Sequence, residues 1–341
     1  MLADICDYQC RDHAVQIVVV NDEVDRGLIS ELNSRIELSL VRRPRGSKNL
    51  WYALKFLFFI ARFRPDIVHA HQLSLIAFIR WLPMPVVSTI HATVFDDTKH
   101  IDCYQRLFAI SAAVERVVFE KYPRATCRVV SNGVNFSKIV RREAPHKGEF
   151  RIVQVGRLEL PTKGQDIALA AIAALAMQRS KSKITLDIIG DGPAEQMLKQ
   201  LAVDLKVETF VRFLGALPRL EIYRLLCEYD LLIQPSRFEG FGLTIIEAMG
   251  ANVPVLVSDI EGPREVIEGD KYGDSFRSGD ALDLARKVLQ IEQQRYTPAF
   301  AARLDAARMM AISKYNVQNT SLGYLHQYEM LLADNANSAR I

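Results

Sequence analysis

The chain has 341 residues, 49% of them apolar and 24% charged, with a net charge of +3. That length suits two domains of ordinary size with real cores, and a near-balanced charge points to no particular class of partner. No apolar run reaches the roughly 18–20 residues of a membrane span, and the first residues carry no signal-peptide pattern. Five cysteines are odd in number and form no C-x-x-C. Cys6 and Cys10 could share a helix face but are too few for a structural zinc site, so reduced cytoplasmic thiols are expected.

In chain order, residues 2–10 read as part of a helix, and 15–20 and 36–41 as strands. Residues 42–64 hold Arg42, Arg43, Arg45, Lys48, Lys55, Arg62 and Arg64, with Trp51, Tyr52, Phe56, Phe58, Phe59 and Phe63 interleaved and no acidic residue. Within them, 50–63 is a strongly apolar helix. An ordinary helix with a basic rim accounts for this; so does an interfacial helix on an anionic membrane. No nucleic-acid motif accompanies the patch. Residues 65–71 form a strand that places His69 and His71 on one face. A metal would need a third ligand and its supporting shell. The next strand, 85–90, ends at His91. Residues 108–111 are a short strand entering a helix at 112–122. The charged stretch 141–149, with Pro145 and Gly148, reads as the hinge.

The second half opens on strand 150–155, followed by Gly156, Arg157 and Lys163, then a helix at 165–178. An arginine fork and a lysine point charge just past a strand end suit a diphosphate. Strand 184–189 runs into Gly190-Asp191-Gly192-Pro193, where a helix starts. Strand 211–215 and helix 217–228 precede the apolar strand 231–233. Pro235 and Ser236 stop that strand, and Gly240 and Gly242 permit a tight turn and close approach of a ligand. A helix begins at Leu243, and strand 255–257 and a helix opening at Gly262-Pro263-Arg264 follow. Closing helices span 286–294, 299–313 and 317–332, and the polar tail 334–341 should fray. A glycine-rich turn leading from a strand into a helix suits a phosphate. Glu239 and Glu247 flank that turn. A hydrolytic pair must sit about 5–9.5 Å apart, whereas eight helical steps span about 12 Å. Two carboxylates serving different sets of hydroxyls fit better; two solvated glutamates are the bland alternative.

Ser236-Arg237-Phe238-Glu239-Gly240-Phe241-Gly242-Leu243, then Ile246-Glu247-Ala248-Met249, Pro254-Val255 and Ser258-Asp259 resemble the signature of glycosyltransferase family 4. The resemblance spans residues 1–332 and is strongest over 150–267. It implies an α/β chain of the GT-B fold, with two Rossmann-like domains facing across a cleft. The expected limits are 1–140 for the first domain, 141–149 for the linker, 150–315 for the nucleotide-sugar domain, and 316–341 for a helix crossing back and the tail. The implied activity is retaining hexosyl transfer from a UDP- or GDP-linked sugar, without a cofactor, to a glycan or lipid-linked glycan acceptor of a cell-surface polysaccharide (O-antigen, lipopolysaccharide or capsule type).

By the same resemblance, Glu239 and His91 contact the sugar and Arg157 and Lys163 clamp the diphosphate. Glu247 meets the ribose, while Gly156, Gly190, Gly192, Gly240, Phe241, Gly242, Leu243, Thr244 and Arg264 line the donor. A GT-A enzyme would carry an acidic D-x-D motif; Asp22-Glu23-Val24-Asp25 lacks that spacing, so metal-free chemistry is expected. Localisation is expected to be cytoplasmic, peripheral to the inner membrane face through 42–64. Family members start with a strand and glycine-rich loop ahead of the first helix, and neither is present before residue 2. Two other classes fit the residues: a nucleotide-sugar 2-epimerase or phosphorylase of the same fold, and a non-catalytic nucleotide-sugar-binding subunit.

Overall fold

The computed structural model describes residues 1–22, 29, 32–44, 46–47, 49–95, 98–177 and 183–338. Of the residues singled out above, Glu23 to Asp25, Arg45, Lys48, Gln178 and the last three lie outside the described residues. The chain divides into two units, Met1–Gly133 with Val317–Ile341, and Val134–Asn316.

In the first unit, β1 (Gln16–Asn21) pairs with β2 (Glu37–Arg43) in parallel. A separate parallel sheet runs β3 (Val68–Ala70), β4 (Val86–Ile90), β5 (Arg106–Ala109) and β6 (Cys127–Val129), in that order. Every residue of β4 is buried, as an interior parallel strand requires. The helices Leu2–Gln9 and Val317–Ser338 cover this sheet, where Ile5, Val87, Phe108, Val130, Tyr324 and Leu331 form one cluster. The helix Leu50–Phe63 falls where its apolar periodicity places it. Asn49 caps its start by accepting from the Trp51 N–H, and Arg64 ends it in the left-handed region. It buries Phe56 and Ile60 but leaves Leu50, Trp51, Leu54 and Phe58 exposed.

The second unit is a six-stranded parallel sheet of β7 (Phe150–Val155), β8 (Ile184–Ile189), β9 (Val211–Gly215), β10 (Leu231–Gln234), β11 (Val255–Ser258) and β12 (Asp274–Phe276). Their order is β12-β11-β10-β7-β8-β9. Strand order reverses between β7 and β10, the topological switch point at which doubly wound sheets bind ligands. β12 carries no apolar run and escapes sequence reading for that reason.

Residues 141–149 are no free hinge, and the unit boundary falls earlier, at Gly133/Val134. Arg142 is buried, donates from its guanidinium to Tyr229 O and the Asp230 carboxylate, and from its backbone to Ala251 O. Polar anchoring of this kind leaves no apolar periodicity to read. The tail is also more regular than its polarity suggests, since the last helix continues to Ser338. No helix among the described residues is long and apolar enough to cross a membrane.

Candidate active site

The carboxyl ends of β7, β8, β10 and β11 carry the second unit's candidate residues. Gly156 and Arg157 follow β7, and Gln165 fixes that turn by donating from Nε2 to Arg157 O at 2.8 Å. Arg157 itself is exposed and makes no side-chain hydrogen bond or ion pair among the described residues. Lys163 ends the short helix Leu160–Lys163; Gln154, buried on β7, donates to Lys163 O at 2.9 Å. Gly190 and Gly192 follow β8. A Cβ on Gly190 would come within 2.0 Å of Gly156 O, so only glycine lets the β7 and β8 turns meet.

The turn after β10 holds Glu239, whose Oε2 accepts from Lys163 Nζ and from Gln234 Nε2, each at 2.7 Å. Gln234 Oε1 in turn accepts from Thr244 Oγ1 at 3.0 Å. A relay from Thr244 through Gln234 to Glu239 and Lys163 thus spans the switch point. Gly262 backs it: a Cβ there would lie 2.4 Å from Glu239 O. Gly240 and Phe241 are buried, and Gly242 caps the helix Leu243–Gly250 in the left-handed region. Arg237 forks onto Asp166 with bonds of 2.8 and 2.6 Å. Burial alone would raise the Asp166 pKa; the Arg237 guanidinium outweighs it, and the carboxyl lies below its ordinary value. Arg264 is exposed on the helix Glu261–Val266.

Glu247 stands apart from that relay. It is buried, and Oε1 accepts from Arg219 Nη2 at 2.7 Å and from Tyr223 OH at 3.4 Å. Burial raises its pKa against the opposing pull of Arg219. Gln234 and Arg219 are the polar partners that motif reading left without roles. Gln234 had a signal, a polar residue closing the apolar run 231–233; Arg219 had none, because its partner lies 28 residues ahead.

In the first unit three histidines stack at the ends of β3 and β4. His69 and His71 lie with ring centroids 4.5 Å apart, and His71 and His91 with centroids 5.2 Å apart. His71 Nδ1 and His91 Nε2 share a hydrogen bond of 3.0 Å. His69 is held on both nitrogens, by Tyr328 OH at 2.5 Å and Thr89 Oγ1 at 2.7 Å. Burial lowers all three pKa values, that of His71 to about 4. His91 is outermost and exposes an edge. Neutral rings on His71 and His91 share a single proton across their bond, which ties the tautomer of one to that of the other.

Parallel α/β units, one with glycine-rich turns and two cations at its switch point, define a GT-B glycosyltransferase. The pattern of the group 1 glycosyl transferases matches residues 135–308, and that of glycosyltransferase family 4 matches residues 2–138. The chain belongs to this family and is a hexosyltransferase. It is 30% identical over 292 residues to a glycogen synthase of Mycobacterium tuberculosis, covering 78% of this chain and 69% of that protein. It is 25% identical over 279 residues to a lipopolysaccharide 1,6-galactosyltransferase of Escherichia coli, covering 76% and 74%. Among solved structures it resembles Anabaena Alr3699/HepE in complex with UDP and glucose, with a TM-score of 0.79, 19% identity, and 96% and 95% of the two chains covered.

Proposed function

We propose that this enzyme transfers a hexosyl unit, with retention, from a nucleotide diphosphate sugar to the glycan of a cell-surface polysaccharide precursor. The observation that carries the proposal is the grouping of Arg157, Lys163 and Glu239 at the switch point. As the bond from the anomeric carbon to the β-phosphate oxygen breaks, negative charge develops on the diphosphate. Arg157 and Lys163 stabilise it electrostatically, and the helix N-terminus at Gly242 adds to the field. This assigns the charge stabilisation to protein cations and not to a divalent metal. The acceptor oxygen bonds to the same face, and its proton passes to the departing phosphate oxygen.

Glu239 orients the sugar hydroxyls, Glu247 the ribose, and His91 keeps the sugar-contacting role that the resemblance assigns. A galactosyltransferase of lipopolysaccharide and a UDP- and glucose-bound neighbour support a UDP-hexose donor and a cell-surface acceptor. Peripheral attachment at the inner membrane face belongs to the same proposal. Leu50, Trp51, Leu54 and Phe58 recur at helical spacing on one outward face, with Arg62 on the same helix, Arg64 at its end and Arg42 exposed on β2.

A panel of UDP- and GDP-sugars tests the reading. A donor that raises the melting temperature should yield a glycosylated product of retained anomeric configuration only when an acceptor is added. Release of an epimer or free sugar without acceptor would replace the transferase reading with an epimerase.

A further inference from the structure

Gln234, the last residue of β10, is buried and bonded to the turn that carries Glu239. Its amide is used at both ends: Nε2 donates to Glu239 Oε2 at 2.7 Å, and Oε1 accepts from Thr244 Oγ1 at 3.0 Å. Its backbone is fixed as well, in register with Val257 on β11. Gly242 leaves the amide its room, since a Cβ there would stand 3.4 Å from Nε2. A glutamine amide donates from one end and accepts at the other. Turned over, it would set its carbonyl oxygen against the Glu239 carboxylate, acceptor against acceptor. The Thr244 hydroxyl, donating to Oε1, holds the amide in the orientation that donates to Glu239. Thr244 stands in the first turn of the helix Leu243–Gly250, so the amide is tied to the element that follows the glycine turn.

The effect falls on Glu239. Gln234 and Lys163 both donate to its Oε2, while Oε1 accepts no hydrogen bond among the described residues and is not sealed from solvent. An ammonium is a point charge with rotatable donors and draws either carboxylate oxygen equally. Lys163 therefore holds the charge in place but leaves the carboxylate free to turn. The amide, with its fixed direction, distinguishes the two oxygens. We propose that Gln234 is a positioning residue: it keeps Oε2 occupied and turns Oε1 alone toward the hydroxyls of the donor sugar. This rests on the transferase reading above and adds a specificity element to it. Sugar recognition then depends on a buried neutral side chain that acts through Glu239, while the nucleotide is left to other groups.

The test uses the full chain and calorimetric binding of UDP, GDP, UDP-glucose, UDP-galactose and GDP-mannose. Gln234→Met keeps the bulk of the side chain and loses both bonds. For the sugar nucleotide that wild type binds, Kd should rise about tenfold or more, with the Kd of the matching free nucleotide within about twofold of wild type. Because Gln234 acts through Glu239, combining Gln234→Met with Glu239→Gln should weaken binding no further than Glu239→Gln alone. Thr244→Val frees the amide to turn without altering β10 and should act in the same direction. Thr244→Ser keeps the hydroxyl and should bind like wild type. Unchanged sugar-nucleotide affinity in both Gln234→Met and Thr244→Val would overturn the inference and leave the transferase reading intact. So would equal weakening of the free nucleotide, or full additivity with Glu239→Gln. Wild type that binds free UDP or GDP but none of the sugar nucleotides would instead remove the transferase reading on which the inference rests.

Discussion

Lys163 Nζ lies 2.7 Å from Glu239 Oε2, so the residue assigned to the diphosphate and the residue assigned to the sugar are bonded to each other. Neither can be altered without changing the other's charge environment. Lys163→Ala should lower kcat by about 100- to 1,000-fold, the loss of roughly 2.7–4 kcal/mol that removal of one transition-state donor brings. Glu239→Gln should also lower kcat while leaving nucleotide affinity nearly unchanged. Because the two touch, the double variant should be non-additive by about 0.5–3 kcal/mol. Strict additivity in a kinetic double-mutant cycle would show that they act separately.

Arg157 offers a contrast, being exposed and without a side-chain partner among the described residues. Arg157→Ala should reduce kcat as severely as Lys163→Ala but leave the melting temperature of the free enzyme unchanged. Addition of EDTA should leave the wild-type rate intact. Dependence of the rate on Mg²⁺ or Mn²⁺ would remove the assignment of charge stabilisation to these two side chains.

Glu247 should behave differently because its carboxylate is buried against Arg219 and Tyr223. Glu247→Ala removes the buried carboxylate that accepts from Arg219 and Tyr223, and loss of a buried hydrogen-bonded partner typically costs about 1–3 kcal/mol of stability. Chemical denaturation should show that loss with ligand absent, and affinity for free nucleotide diphosphate should fall as well. A stable variant with normal nucleotide affinity would contradict both expectations.

The stacked histidines predict a pH dependence. Their folded pKa values lie below the ordinary 6.5, that of His71 at about 4. The unfolded chain therefore takes up protons first as pH falls, and stability is lost from about pH 6.5 downward, through the folded pKa values. The first unit should lose hydrogen-exchange protection between pH 7 and 5 more steeply than the second. His71→Gln should flatten that slope. It should also raise the KM for donor if His71 positions His91 through their 3.0 Å bond.

The outward face of the helix Leu50–Phe63 predicts binding to anionic vesicles with two components. Serine at Arg42, Arg62 and Arg64 should remove the salt-sensitive part, worth about 1 kcal/mol per residue near the surface. Serine at Trp51 and Phe58 should remove the part that survives high salt. Wild-type protein that ignores such vesicles at low salt would reduce the segment to a basic rim.

Legibility from sequence followed physical cause. Most strands of the second unit are rich in apolar and β-branched residues, so Phe150–Val155, Ile184–Ile189 and Val211–Gly215 were readable to the residue. The helix Leu50–Phe63 was equally clear from its apolar run, whereas Ala281–Gln294 begins five residues before the expected start, at its Asp280 cap. Polar anchoring was not legible: Arg142 looked like part of a solvated linker because its buried partner, Asp230, lies 88 residues away. The same holds for the candidate site. The motif placed Glu239, Lys163 and Arg157 at strand ends, but the bond between Lys163 and Glu239 joins residues 76 apart and leaves no local trace.

The helix Val317–Ser338 comes last in the chain, yet it belongs to the first unit and completes its core through Tyr324 and Leu331. A ribosome making this protein finishes the second unit while the first still lacks one wall. Order of synthesis and order of folding are therefore inverted, and the earlier-made half must wait, with apolar surface open, for the helix that follows residue 316. A chain released after residue 316 should then show a protease-resistant 134–316 core and a digestible amino-terminal half.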